Sequence, residues 1–397
     1  MLWGLGVTNG SLIPRARSES GTNPAPYRVE RLHSRKPVIS RAHFTAAGVP
    51  EDGANINGPS VIRVPDWVAP NDRPHPEARY YLYFAHHGGT YIRLAWAREI
   101  TGPYELYRPD RARRAASDAA ARTGVLALPR VRGEHVLRFD NGTEVREHLA
   151  SPDVHVDDRN RRFVLYFHGV TNTTTPPPHG VTGPQKTVVA TSATGLNFNP
   201  PRAGGEEDHG PRAALLGNAY FRVFGHGEYL YAFSNGGRLW RARRDAAFDP
   251  AVPPTADSWE EGPNPIAEAV AGDPRHLAVR FVRPDRIEVF FSVRGSVDES
   301  IERTEIDLSA GGPTGNDWYA WRAEPPDHIL APEEEWEGSA YPAAVSRGGG
   351  QTGVRQLRDP AVYTDIDGSV YLFYCGAGEE GIGLARLVRV QRKGEEV

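Results

Sequence analysis

The 397-residue chain holds one cysteine, one methionine and three lysines, Lys36, Lys186 and Lys393. A single cysteine excludes an internal disulfide. At the end of an apolar run, Cys375 reads as a small buried hydrophobe rather than a reactive thiol. Scarce lysine leaves the positive charge to arginine, and the formal net charge is only −4. That balance provides neither a nucleic-acid footprint nor one for an anionic membrane. No apolar stretch approaches the ~20 residues of a membrane-spanning helix. Residues 1–7 are apolar but lack the charged start and long apolar core of a secretory signal, so a cytoplasmic location is expected. Gly348-Gly-Gly350 and Gly376-Ala-Gly378 lack the strand–turn–helix context of a phosphate loop, and no Gly-x-Ser-x-Gly elbow occurs.

What the chain does have is glycine (42), proline (34) and a repeated phrase. The glycine and proline content suits short strands joined by many turns. The phrase is Tyr80-Tyr-Leu-Tyr-Phe-Ala-His-His87. It returns as Phe163-Val-Leu-Tyr-Phe-His168, Tyr229-Leu-Tyr-Ala-Phe-Ser234, Ile287-Glu-Val-Phe-Phe-Ser292 and Val370-Tyr-Leu-Phe-Tyr-Cys375. Aromatic and β-branched residues in runs of this length make buried strands. Five related strands spread over the chain predict an all-β fold, a single-domain five-bladed β-propeller spanning 27–392. Residues 1–26 read as a poorly ordered lead-in, and Tyr27–Leu32 as the strand that closes the ring. In the fourth unit, Trp318–Ala323 is expected to form the outer strand. An Ala-rich stretch at 111–122 reads as a short helix or ordered insertion, and 171–183 as a loop long enough to be functional.

Each unit reads as an inner strand, a turn, the aromatic strand and a third strand. Turns between the first two strands are generic, for example Asp157-Asp-Arg-Asn160 and Asp365-Ile-Asp-Gly368. The opposite ends collect residues that turns do not need. Entries into the inner strands are Asn55-Ile-Asn-Gly-Pro59, His148-Leu-Ala-Ser-Pro-Asp153, Gly217-Asn-Ala-Tyr220, Asp273-Pro-Arg-His276 and Arg358-Asp-Pro360. Loops after the aromatic strands add His86, His87, His168, Glu379 and Glu380. Carboxylates, imidazoles, amides and guanidinium groups around one mouth point to a polar ligand.

The Asp-Pro and Gly-Pro-Ser-Val entries, the Tyr-Leu-Tyr-Phe strand and Gly102-Pro-Tyr104 after the third strand resemble the five-bladed propeller glycosidases, glycoside hydrolase family 43 and allied families. Residues 55–107, 148–198 and 355–387 carry the likeness. The resemblance implies carbohydrate cleavage by three central carboxylates: a base, an acid and a helper. Arg358-Asp-Pro360 matches the Asp-Pro form in the fifth unit; the first unit has Gly58 at that place, and the second has its acid after the proline. Some similar propellers hold a calcium ion in the channel, an implication of the resemblance alone; no cofactor is otherwise expected.

Asp153, Asp359 and Glu380 are the candidate catalytic carboxylates. Asp153 and His155 share one side of a strand by the period of two. Asn57, His86, His87, His155, His168, Tyr220, Arg275, His276 and Arg358 are the candidate substrate-binding residues. Both arginines are read as forks for a carboxylate or hydroxyl pair. The histidine spacing matches no sequence-readable metal motif. The expectation is a glycosidase, inverting like the similar family, acting on a small saccharide or chain end. The alternative is a non-hydrolytic carbohydrate-binding protein, or an enzyme of another reaction type, on the same scaffold.

Overall fold

The computed structural model describes residues 26–108, 124–128, 130–131, 134–138, 144–171, 185–198, 210–211, 216–244, 259–312 and 317–390. The expectations for 1–25, for the Ala-rich stretch 111–122 and for 172–183 lie outside the described residues.

Five antiparallel sheets follow one another along the chain. Blade I uses Asn57–Arg63, Tyr80–Ala85, Tyr91–Ala97 and Glu105–Leu106. Blade II has Glu144–Asp157, Arg162–Thr171 and Gln185–Ser192 as its first three strands. Blade III is built from Arg222–His226, Tyr229–Phe233, Leu239–Arg243 and Glu260–Glu261. Blade IV comprises Asp273–Arg283, Arg286–Arg294, Ile301–Asp307 and Asp327–Leu330. In blade V, Arg358–Thr364, Val370–Gly376 and Gly381–Arg389 are joined by Tyr27–Arg31 from the other end of the chain. That last pairing runs in register from Tyr27↔Arg389 to Arg31↔Ala385 and closes the ring as expected.

The aromatic strands are buried on both faces because each sits between two blades. Successive side chains point to opposite sides of a sheet. Tyr81, Tyr83 and Ala85 therefore enter the core shared with blade II, while Tyr80, Leu82 and Phe84 enter the one shared with blade V. Three further cores fill the remaining junctions. A strand read on both faces loses its polar alternation, which explains the nearly continuous apolar phrase. Burying each such side chain contributes about 1.5–3 kcal/mol.

One expected strand is not formed. Trp318–Ala320 is a 3-10 turn, and the outer strand of blade IV is Asp327–Leu330. Trp318 and Trp321 are both fully buried in the core between blades III and IV. Turning the chain there seats both indoles on one side, which an extended strand cannot do with residues three apart. Among the described residues, no helix is long and apolar enough to cross a membrane.

Candidate active site

Every inner strand is entered through one residue in the left-handed region. These are Gly58 (φ 61), Ser151 (φ 49), Tyr220 (φ 69), His276 (φ 53) and Asp359 (φ 48). Two residues on, Ser60, Asp153, Arg222, Ala278 and Ala361 line a cavity of about 260 Å³ on the channel axis. In blades I, II, IV and V the strand register breaks at this point. The device is a β-bulge repeated around the ring, and bulges re-aim side chains next to functional sites. Only blade I uses glycine for it. Left-handed Ser, Tyr, His and Asp each cost on the order of 1–3 kcal/mol, strain that persists mainly at functional positions.

The bulge residues form a collar at the head of the channel. The Tyr220 and His276 rings lie 5.2 Å apart. His276 Nδ1 is 3.0 Å from Asp359 Oδ1, an ion-pair distance without hydrogen-bond alignment. A side chain at Gly58 would place its Cβ 3.2 Å from the Ser151 Cα, so glycine lets blades I and II meet. Asp359 is 3% exposed, and its Oδ2 has no hydrogen-bond partner. Burial would raise its pKa, but His276, helped by Arg358 and Arg275, holds the carboxyl well below its usual range.

A wall of polar groups stands around the collar. Glu379 is buried and accepts from Asn55 Nδ2 (2.6 Å), Asn57 Nδ2 (3.2 Å) and Arg358 Nη1 (3.3 Å). His87 Nδ1 lies 3.7 Å from the same carboxylate. From His87 an arc of rings continues to His148 (6.4 Å), His168 (5.7 Å) and Tyr220 (4.3 Å). Burial, then nearby His87, lowers the pKa of His148; burial and His148 push His168 far below the ordinary imidazole value. Tyr220 is pushed up to about 12 by burial and by Asp359 and Glu379.

The structure places Asn57, His87, His168, Tyr220, Arg275, His276, Arg358 and Asp359 around this mouth, and it separates the other candidates from them. Asp153 and His155 lie lower, in the channel cavity. There Asp153 Oδ2 accepts from Val223 N (2.8 Å) and meets His155 Nε2 (2.9 Å), stitching blade II to blade III. Its pKa is lowered: burial opposes ionisation, but His155, Arg222 and Val223 N outweigh it. Glu380 is exposed while Glu379 points inward, because Ala377 (φ 49) and Gly378 (φ 81) turn the loop. His86 folds onto its own loop, with Nδ1 2.8 Å from the His87 carbonyl oxygen.

The two arginines are engaged internally rather than held out for a ligand. Arg275 forks onto Glu299 through Nε (2.7 Å) and Nη2 (2.5 Å). Arg358 is fully buried and donates to Gln356, Gln351, the Gly349 carbonyl and Glu379, with Nε also 3.4 Å from Glu299. His148, Glu299 and Asn55 are thus central groups outside the candidate catalytic and binding residues, and of the adjacent acids Glu379 and Glu380 it is Glu379, not the favoured Glu380, that faces the mouth. His148 carried a signal, since it opens the second entry segment. Among the described residues no three His, Cys, Asp or Glu side chains form a metal-binding group. The channel cavity offers one carboxylate, Asp153, already committed to His155 and Val223, so its donors do not fit a calcium ion.

The buried imidazoles make stability depend on pH. His148 and His168 have folded pKa values below the unfolded value of about 6.5. The unfolded chain therefore binds more protons near pH 6, so the stabilisation is complete above about pH 6.5 and is lost as pH falls towards the depressed values. The thermal midpoint is expected to drop steadily from pH 7 to pH 5. His168→Gln should flatten that slope; an unchanged slope would contradict the assignment.

Comparison with known proteins agrees with the fold. A glycosyl hydrolase from Bacteroides ovatus superposes with a TM-score of 0.50 at 14% identity, covering 93% of this chain and 95% of that one. The architecture is that of the five-bladed propeller glycoside hydrolases. A thermostable family-43 glycoside hydrolase matches at TM-score 0.46 and 13% identity, over 86% of this chain and 91% of the other. In sequence, the chain is 29% identical over 347 residues to an uncharacterized protein of Acanthamoeba polyphaga mimivirus, covering 85% of each. No family model matches the chain.

Proposed function

We propose that this chain is a glycoside hydrolase whose reaction takes place above the collar, on a small saccharide or a chain end. The observation that carries the reading is Asp359: a buried carboxylate in a left-handed bulge, kept ionised by His276, with one oxygen left without a partner. Held ionised at every working pH, that oxygen accepts the proton of a water seated against it; a carboxyl so far below its usual range is a weak base, and its effect comes from position. The acid is His87, partly exposed at the mouth, with Nδ1 3.7 Å from the Glu379 carboxylate. It protonates the departing oxygen while Asp359 activates water on the other side of the sugar. Attack from that side inverts the anomeric centre. Asp153 is the helper, fixing the blade II strand beneath the reacting groups. Similarity of fold to glycoside hydrolases supports the substrate class, and the polar collar supports it independently.

The test is a panel of aryl glycosides and oligosaccharides with products followed by proton NMR. The expected result is release of one sugar whose first-formed anomer is inverted. Retention of configuration would remove Asp359 as a base acting on water, and absence of turnover on every member would remove the hydrolase reading.

A further inference from the structure

Single exposed apolar side chains are normal on a folded protein, whereas a contiguous exposed patch marks a contact surface. Of the seven large apolar side chains exposed among the described residues, Tyr341 (41%), Val345 (57%) and Val297 (58%) belong to one ridge. Pro342, Ala343 and Ala344 are exposed too, so five consecutive apolar residues face solvent. The ridge lies on the mouth face. Val297 follows the aromatic strand of blade IV, and it pairs with Val345 in an antiparallel bridge. Ser346 N donates to the Ser296 carbonyl (2.9 Å) and Gly295 N to Ser346 Oγ (2.9 Å), pinning the ridge to that loop. From there the chain runs to the reacting groups. The Gly349 carbonyl and the Gln351 side chain accept from Arg358 (3.1 and 3.0 Å). A Cβ at Gly350 would sit 2.7 Å from His87 Cγ, so the glycine run 348–350 lets this segment lie against the His87 ring. The five steps from Val345 to Gly350 span at most ~18 Å.

In the proposed reaction His87 protonates the departing oxygen, so the group carried on that oxygen emerges beside Gly350, on the segment that holds the ridge. We infer that the ridge receives this leaving group and that the leaving group is apolar, an aryl or alkyl aglycone carried by a small saccharide. Residues 342–345 have no hydrogen-bonding side chain. They offer the hydroxyls of a second sugar nothing, while a hydrocarbon gains by covering them. A second copy or another protein would need about 20–30 residues a side for a stable interface, and the ridge has six. The aglycone class narrows the substrate of the hydrolase reading and rests on that reading. Contacts so far from the breaking bond are the same in substrate and transition state, so they lower KM and leave kcat in place.

The test is turnover by the full chain of methyl, hexyl and decyl glycosides of β-D-xylopyranose, α-L-arabinofuranose and β-D-mannopyranose, below their micelle concentrations. A buried methylene is worth about fourfold in affinity, so even partial cover predicts a KM at least about tenfold lower for decyl than for methyl. The double variant Val297→Ser, Val345→Ser should shrink that ratio to about threefold or less. Ile366→Ser, at a 77% exposed position in a turn on the opposite face, should keep it. Turnover with a KM independent of aglycone length overturns the inference and leaves the hydrolase reading standing. So does a KM that falls for a second sugar in place of the alkyl chain but not for the chain itself, or a dimer in solution that the double variant abolishes. Decyl glycoside that shifts the methyl resonances of Ala343, Ala344 and Val345 without turnover leaves the apolar site standing and removes the hydrolase reading instead.

Discussion

Glu299→Gln is expected to lower the unfolding free energy by about 3 kcal/mol, the lower end of the range for breaking a buried ion pair by removing one partner. Glu299 is fully buried, forks Arg275 and lies 3.4 Å from Arg358. With the neutral amide in its place, Arg275 keeps its burial and loses the carboxylate that compensates it. Such a loss is a large part of the ~5–15 kcal/mol that usually separates folded from unfolded chains. It should appear as a lower urea midpoint with an unchanged denaturant slope. Salt should not mimic it, because screening acts mainly on exposed pairs. The exposed Arg98–Glu77 pair (2.8 Å) supplies the contrast, and Glu77→Gln should leave the midpoint in place. A midpoint for Glu299→Gln equal to that of the wild type would show that Glu299 compensates neither Arg275 within blade IV nor Arg358 of blade V.

Arg93→Met is expected to cost about 3 kcal/mol or more, since three hydrogen bonds from a charged donor are lost at once. The guanidinium is fully buried, and its acceptors are the carbonyl oxygens of Asp52, Asn55 (2.8 Å) and Ala85. It lies 5.1 and 4.7 Å from the rings of Phe44 and Phe84. A desolvated cation–π contact of this kind adds about 2 kcal/mol. Burial lowers its pKa to about 10, so it remains charged at neutral pH. The consequence reaches the mouth, because Asn55 donates to Glu379 and accepts from the His87 amide (2.8 Å). Arg93→Met should therefore lose both stability and turnover. Arg93→Lys, which cannot span three carbonyls, should recover only part of the stability. A methionine variant as stable as the wild type would contradict this role.

The fold was legible because its signal is local. Strands such as Tyr80–Ala85 and Tyr229–Phe233 lie at the positions their composition predicts, and the ring closes through Tyr27–Arg31. The functional face was legible for a similar reason: entries and loops carry polar groups that turn chemistry does not require. Individual roles were not, because they depend on bulges and on distant partners. Asp153 and Asp359 look alike as acids beside a proline. The bulge residue precedes the proline in Gly58-Pro59, Ser151-Pro152 and Asp359-Pro360, so the acid before Pro360 reaches the collar and the one after Pro152 falls into the channel. Glu379 and Glu380 differ only by the direction in which a left-handed Ala377 turns the loop. Arg275 and Arg358 present free guanidinium groups on paper, yet Glu299 and Glu379, more than twenty positions away in sequence, engage them. No residue pattern reports that pairing.

Asp359 is the proposed site of the chemistry. Its most direct test is the turnover of Asp359→Asn on whichever glycoside the wild type cleaves, with Glu380→Gln assayed beside it. Asparagine keeps the shape and the left-handed tolerance of the position but cannot take a proton. A fall in kcat of about 10²–10⁴-fold is expected for Asp359→Asn, the usual worth of a positioned general base, and unchanged rates for Glu380→Gln. Full activity in a folded Asp359→Asn protein would contradict it.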